Sequence, residues 1–251
     1  MVIAVSACLL GENCKYNGGN MRGLKMSWEK IDESTYQYDE GGVRFFLLMG
    51  KKEALLIDSG MQTHNAKELV KELTDLPVRL FNTHTDVDHI GSNEEFDEVI
   101  MNLAELVNYK LPHPSQKIVP IYDGDVIDLG ERELIAIALP GHTPGSTALL
   151  DKKSGMLFSG DPIQDGQIFM FGEMRDLSAY IHSLRRLDKY KDDIKGIYAN
   201  HGTLPVDYSI VPKLIEGALQ VEKGEIVPTE ADRFGKTVHV YDVGVASFLC
   251  D

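Results

Sequence analysis

Within six residues, His84-Thr85-Asp86-Val87-Asp88-His89, the chain gathers two imidazoles and two carboxylates, and residues of the same kinds return at His142, Asp161 and His201. Imidazole and carboxylate together suit zinc, iron and manganese, and no thiolate stands among them. On an extended chain side chains alternate, so positions 84, 86 and 88 share one side while His89 points away. One peptide can then serve two metals. Two metals roughly 3.5 to 4 Å apart bridge a water, lower its pKa toward neutrality and polarise a substrate oxygen. The chemistry of such a set is hydrolysis without a covalent enzyme intermediate.

Each of these residues stands at the end of an apolar run. Val43 to Leu48 and Ala54 to Ile57, separated by Gly50-Lys51-Lys52, read as a hairpin ending in Asp58-Ser59-Gly60. Asn65 with Glu68 three residues on predicts a capping box, and Ala66, Leu69, Val70, Leu73 and Leu76 recur at helical spacing before Pro77. Val78 to Phe81 is a short strand feeding the six-residue segment, and Phe96, Val99, Ile100, Leu103 and Val107 predict a helix after it. Ile118 to Ile121, Val126 to Leu129 and Leu134 to Leu139 read as strands, the last leading to Gly141-His142-Thr143-Pro144-Gly145. Ala148 to Leu150 and Met156 to Phe158 form a second hairpin that runs into Gly160-Asp161. Asp176 opens a helix carrying Leu177, Tyr180, Ile181, Leu184 and Leu187, and Gly196 to Ala199 is a strand delivering Asn200-His201-Gly202. Ile210 to Ala218 suggests a last helix, and Val238 to Leu249 a final strand or pair. A lone His or Asp in a loop is usually just solvated. Repetition of these types at several strand ends is hard to explain by packing.

These residues resemble the metallo-β-lactamase superfamily. The matching pieces are Leu56-Ile57-Asp58-Ser59-Gly60, Thr83-His84-x-Asp86-x-Asp88-His89, Pro140-Gly141-His142-Thr143-Pro144-Gly145-Ser146, Phe158-Ser159-Gly160-Asp161 and Asn200-His201-Gly202, in the family's order over about residues 40 to 250. The resemblance implies an α/β fold, a four-layer αββα sandwich with a dinuclear metal site along one edge. It assigns His84 and His142 to a first metal, Asp88, His89 and His201 to a second, Asp161 to the bridge between them, and Asp58 to support beneath the metal loop. Hydrolases of glyoxalase II type are nearest in size and motif wording, although no basic cluster for glutathione is assignable.

One position departs from the family's usual His-x-His-x-Asp-His: residue 86 is Asp. Either the first site has lost a ligand, or the Asp86 carboxylate takes the place of the imidazole. In the second case each metal sees two His and one Asp, plus the shared Asp161. Three carboxylates and a bridging hydroxide give −4 against +4 from two divalent ions, where the usual pattern leaves +1. That makes a weaker Lewis acid that better tolerates an oxidised metal. The flavodiiron branch of the superfamily carries Glu at this position, so iron and manganese stand beside zinc, the expected metal. A di-iron oxidoreductase would need a separate electron donor, because no room for a flavodoxin domain is visible.

Lys plus Arg number 25 and Asp plus Glu 39, for a net charge of −14. That opposes binding to nucleic acid or anionic lipid. With 43% hydrophobic residues the chain can fill a core, and no apolar stretch approaches the roughly 20 residues of a membrane span. Three cysteines, Cys8, Cys14 and Cys250, are too few for a disulfide scaffold, and no secretory signal is apparent, so a cytoplasmic location is expected. Ser6 to Gly19 resembles the opening of a family related to thiouracil desulfidases, whose cysteines hold an iron–sulfur cluster, but two cysteines alone complete none. Residues 1–22 are therefore set apart as an N-terminal extension, with 23–251 as the hydrolase domain. The expected enzyme uses metal-bound hydroxide on a small-molecule ester, thioester, lactone or phosphoester, with Asp88 and Asp161 holding the water. His182 on the helix after Asp161, and Trp28 with Tyr36 to Tyr38, are candidates to border the cleft. Ile168, Phe169, Met170 and Phe171 either line a substrate pocket or close the core. Oligomeric state is not readable.

Overall fold

A computed structural model describes residues 26–112 and 114–251. The N-terminal extension, Cys8, Cys14, the desulfidase-like segment and His113 lie outside the described residues.

Two large sheets face each other. The first has seven strands in the order β1 (Trp28–Asp32), β2 (Thr35–Asp39), β3 (Arg44–Met49), β4 (Ala54–Ile57), β5 (Val78–Phe81), β6 (Glu98–Met101) and β7 (Lys117–Pro120). Strands β1 to β4 are antiparallel and β4 to β7 parallel. The second is built from β8 (Val126–Asp128), β9 (Glu133–Ala138), β10 (Thr147–Asp151), β11 (Met156–Gly160) and β13 (Gly196–Ala199), with β11 and β13 parallel. A smaller sheet joins β12 (Gln167–Met170) to β16 (Ser247–Cys250), β15 (Lys236–Asp242) and β14 (Thr229–Arg233).

Alternation along each strand sorts the apolar side chains into three cores. Phe46, Leu48, Leu55, Ile57 and Phe81 of the first sheet meet Ile127, Leu134, Ala136, Leu149 and Phe158 of the second. The opposite face of the first sheet, with Phe45, Leu47, Leu56 and Leu80, packs on α1 (Ala66–Lys71) through Ala66 and Val70. Ile137, Leu150, Leu157 and Ile197 carry the outer face of the second sheet onto α2 (Leu177–Arg186) and α3 (Ile210–Glu222). The layers are helix, sheet, sheet, helix, the α/β sandwich that the resemblance implies. Among the described residues no helix is long and apolar enough to cross a membrane.

Three local expectations change. The helix over Phe96 to Val107 is instead β6 and a 3₁₀ turn over Leu103–Val107, with another 3₁₀ turn, Asn93–Glu95, just ahead of them. Val99 and Met101 enter one core and Ile100 the other, so both faces of a parallel strand are apolar and the run mimics helical spacing. Leu103 and Val107, needed for the helical stripe, are exposed. The Asn65 side chain makes no cap bond to the backbone and meets the Glu68 carboxylate at 3.3 Å. Tyr38 stacks on Phe45 and Trp28 meets both edge-on against the core beneath α1, and the Trp28 indole donates to the Leu69 carbonyl, so this aromatic group belongs to packing rather than the cleft.

Candidate metal centre

The motif residues follow the strand ends. Asp58 comes directly after β4, Asp161 after β11 and His201 two residues after β13, while His84 and His142 lie a few residues beyond β5 and β9. The two sheets are stitched together at this edge: the Arg44 amide donates to the Asn200 carbonyl at 2.9 Å and the Thr147 amide to the Thr83 carbonyl at 2.9 Å. Gly141 is required where the His142 loop crosses α2, because its φ is +141° and a Cβ there would lie 2.4 Å from Tyr180 Cα.

Asp58 is fully buried at φ +60°, an uncommon conformation for a residue with a Cβ. One carboxylate oxygen accepts from the Thr83 amide at 2.8 Å, and the other from Thr83 Oγ1 at 2.7 Å, Asn200 Nδ2 at 2.8 Å and His89 Nδ1 at 2.9 Å. Three loops are thereby fixed by one side chain.

All four histidines commit Nδ1 away from the centre. His89 uses Asp58, His142 the Phe169 carbonyl at 2.8 Å and His201 the Gly42 carbonyl at 2.6 Å. Thr83 Oγ1 gives its proton to Asp58, so at 3.0 Å it accepts from His84 Nδ1. Each Nε2 is left to face the gap, where His84, His142 and Asp161 form one group and Asp88, His89 and His201 another, the ligand atoms of each within 4.8 Å of one another. Asp161 spans both: Oδ1 lies 3.4 Å from His89 Nε2 and His201 Nε2, and Oδ2 lies 3.7 Å from His142 Nε2.

Chemistry of the donors fits divalent cations. His84 Nε2 and His142 Nε2 face each other at 3.2 Å with both Nδ1 protons already placed, so two lone pairs point at one space. His89 Nε2 and Asp161 Oδ1 are buried without a hydrogen-bond partner. Such costs are met by a cation between the donors. Burial would lower the pKa of His89, but Asp88, Asp161 and Asp58 raise it well above the usual range; burial also opposes His201, which Asp161 and Asp88 raise. His142 moves the other way, pushed down by burial and then by the Arg175 guanidinium. Burial disfavours ionised Asp88 and Asp161, yet the neighbouring imidazoles hold both carboxyls low.

Strict alternation over positions 84 to 88 fails. Residues 87–89 form a turn closed by the His89 amide on the Asp86 carbonyl at 3.0 Å, which swings Asp88 round to join His89. Asp86 belongs to neither compact group, although its Oδ2 stands 3.3 Å from His142 Nε2 and 3.6 Å from His84 Nε2. Its carboxyl is held well below the usual range because contacts with His142 and His84 outweigh burial. His182 stays on the exposed side of α2, against the Ser178 carbonyl. The segment around β12 divides: Ile168 and Met170 enter the core under α2, while Phe169 and Phe171 lie together with Phe234.

Two residues escaped the sequence reading. Arg175 Nη2 reaches both Asp86 oxygens, at 2.9 and 2.8 Å, and its Nη1 donates to the His142 carbonyl. Glu105 is buried and accepts from the Thr85 amide at 2.7 Å, Thr85 Oγ1 at 2.8 Å and the Gly145 amide at 2.8 Å, tying the His84 loop to the His142 loop. Neither belongs to a motif quoted above, and each lies far in sequence from one of the loops it serves.

The model of the metallo-beta-lactamase superfamily matches residues 38–199. The chain is 28% identical over 194 residues to acyl-coenzyme A thioesterase MBLAC2 of Gallus gallus, covering 62% of this chain and 70% of that protein. It is 33% identical over 132 residues to hydroxyacylglutathione hydrolase of Gloeobacter violaceus, covering 51% and 50%. A solved metallo-beta-lactamase from Pontibacter korlensis superposes with a TM-score of 0.63 at 18% identity, over 76% of this chain and 99% of that one, and shows the shared fold. With the motif order, the layered fold and the convergent donors all in agreement, the chain belongs to the metallo-beta-lactamase superfamily and is a metal-binding hydrolase.

Proposed function

We propose that the protein is a dinuclear hydrolase of small-molecule thioesters. A first metal would be held by His84, His142 and Asp161 with Asp86 at the margin, and a second by Asp88, His89, His201 and Asp161. The observation that carries this reading is the paired geometry: two ligand groups of His and Asp side by side, with Asp161 offering one oxygen to each. Two divalent ions, zinc by choice of donors, supply Lewis acidity and a nucleophilic water near neutral pH. Asp88 and Asp161 hold and orient that water. The four histidines are kept in their tautomers by Asp58, Thr83 and the Gly42 and Phe169 carbonyls, so the donors are in place before substrate arrives. The thioester class is supported by the names of the thioesterase and hydroxyacylglutathione hydrolase relatives.

Elemental analysis of protein purified without added metal, followed by thiol release from acyl-coenzyme A and acylglutathione, tests the proposal. About two zinc per chain with thioester cleavage is the expected result. Protein carrying two metals that cleaves lactones or phosphoesters but neither thioester would overturn the substrate class. One metal or fewer would overturn the dinuclear centre.

A further inference from the structure

We propose that Arg175 and Asp86 act as one ion-paired unit in place of a neutral imidazole, with Arg175 positioning Asp86 Oδ2 at the first ligand group and cancelling its charge. This rests on the two-metal reading above. Arg175 Nη2 lies between the two Asp86 oxygens, and the one it approaches at 2.8 Å, Oδ2, is the one that faces His142 Nε2 and His84 Nε2. The guanidinium is held from a second side, because Nη1 donates to the backbone carbonyl of His142 itself. Its backbone is fixed too. Asp176, the next residue, caps α2 through Ala179 and donates its amide to the Gly141 carbonyl at 2.9 Å. Arg175 therefore spans the His142 loop and the Asp86 loop with a side chain only 13% exposed.

Charge decides what the pair does. Replacing a neutral imidazole with Asp86 adds one negative charge to the first group, and Arg175 adds one positive charge beside it. The sum is that of the usual motif. The surplus anionic charge that favoured an oxidised metal is cancelled, so the electrostatic case for iron falls away. A corollary runs against intuition: restoring His at position 86 leaves a poorly solvated cation next to two metal ions with no counter-charge. The usual family residue should then impair the site in this chain.

Zinc affinity measured by competition with a chromophoric chelator, on wild type, Asp86→His, Arg175→Gln and the double variant, tests the pair without recourse to turnover. Asp86→His is expected to lose about 10- to 100-fold in first-site affinity, the scale for disturbed outer partners of a metal ligand. Adding Arg175→Gln to it should restore most of that loss, which a merely structural arginine would not do. Asp86→Asn leaves the same stranded cation with minimal change of shape and should show the same loss, a safeguard should the imidazole fail to pack. Far-UV circular dichroism of the metal-free variants establishes that they are folded. Tight binding by Asp86→His, or a double variant as weak as Asp86→His, would overturn the pairing while leaving the two-metal reading intact. Fewer than two zinc on wild type would overturn that reading first, and the pair's role with it.

Discussion

The two ligand groups lie side by side and are supported in opposite ways. His89 rests directly on Asp58, a buried carboxylate delivered by the end of a core strand that also bonds Asn200 beside His201 and, through Thr83, backs His84. His84 and His142 face a margin set by Asp86, 24% exposed at its side chain, and by an arginine from the segment before α2. One half is held from within the sandwich and the other from its rim. The ligands of both halves are buried, so what separates them is the Asp86 and Arg175 pair at the margin of the first, where charge can be altered at a partly exposed side chain.

Variants that ignore this division should have the largest effects. Asp161→Ala removes the oxygen offered to each group and should strip both metals, with thioester hydrolysis falling by roughly 10⁴-fold or more, at or beyond the upper end of what removal of a single positioned acid–base group costs. Metal content and thiol release measured on the same preparation check this; full activity with one metal retained would show that the halves do not depend on a shared ligand. Asp58→Ala comes next. It strands His89 Nδ1, Asn200 Nδ2 and the Thr83 donors in the core, and a loss of about 3–5 kcal/mol in urea unfolding of the metal-free protein is expected. The second metal should be lost with it. A drop below about 1 kcal/mol would mean that the core-anchored half owes little to its anchor.

Glu105 is the rim's counterpart to Asp58, since it joins the His84 loop to the His142 loop. Glu105→Gln keeps the shape but replaces charge-assisted acceptors by a neutral amide that also brings donors toward the Thr85 and Gly145 amides. A cost of about 1–3 kcal/mol is expected, smaller than at Asp58, with the first metal weakened more than the second. Equal weakening of both would erase the distinction between rim and core.

Legibility in the sequence follows the same line. Asp58, His84, Asp88, His89, His142, Asp161 and His201 stand beside strands whose apolar runs are short and clear, so local pattern places each at a strand end, while the family resemblance is what implied a single edge. The hairpin of β3 and β4 and the strand β5 are read the same way, because Gly50-Lys51-Lys52, Asp58-Ser59-Gly60 and Pro77 bound their short runs. Failure came at β6, which like β3 and β4 is apolar on both faces but whose run continues from Phe96 to Leu103 and Val107 at helical spacing with no Gly or Pro to bound it. It came again where support is long-range: Arg175 is 89 positions from Asp86, and Glu105 is 40 from Gly145. The turn at residues 87–89 depends on a backbone bond to Asp86, and alternation over an idealised strand could not anticipate it.

The smallest predicted effect is an order of release on acidification. Without a cation, Asp88, Asp161 and Asp58 favour protons on His89, and Asp161 and Asp88 favour them on His201, so both bind protons over a wider pH range than a free imidazole. His142 is shifted down by burial and by Arg175 and binds protons only at lower pH. Protons compete with metal for Nε2, and competition at a raised pKa begins at higher pH. As pH falls, the second group should therefore release its zinc before the first, although it is the better buttressed. A stepwise acid titration with a zinc-responsive dye would show two releases, the earlier one missing in His201→Ala. Release of the first group's zinc at the higher pH would mean that the rim's exposure outweighs the carboxylates gathered around His89. Release in that order would separate mechanical anchoring from proton competition, because the better buttressed group would be the first to let go.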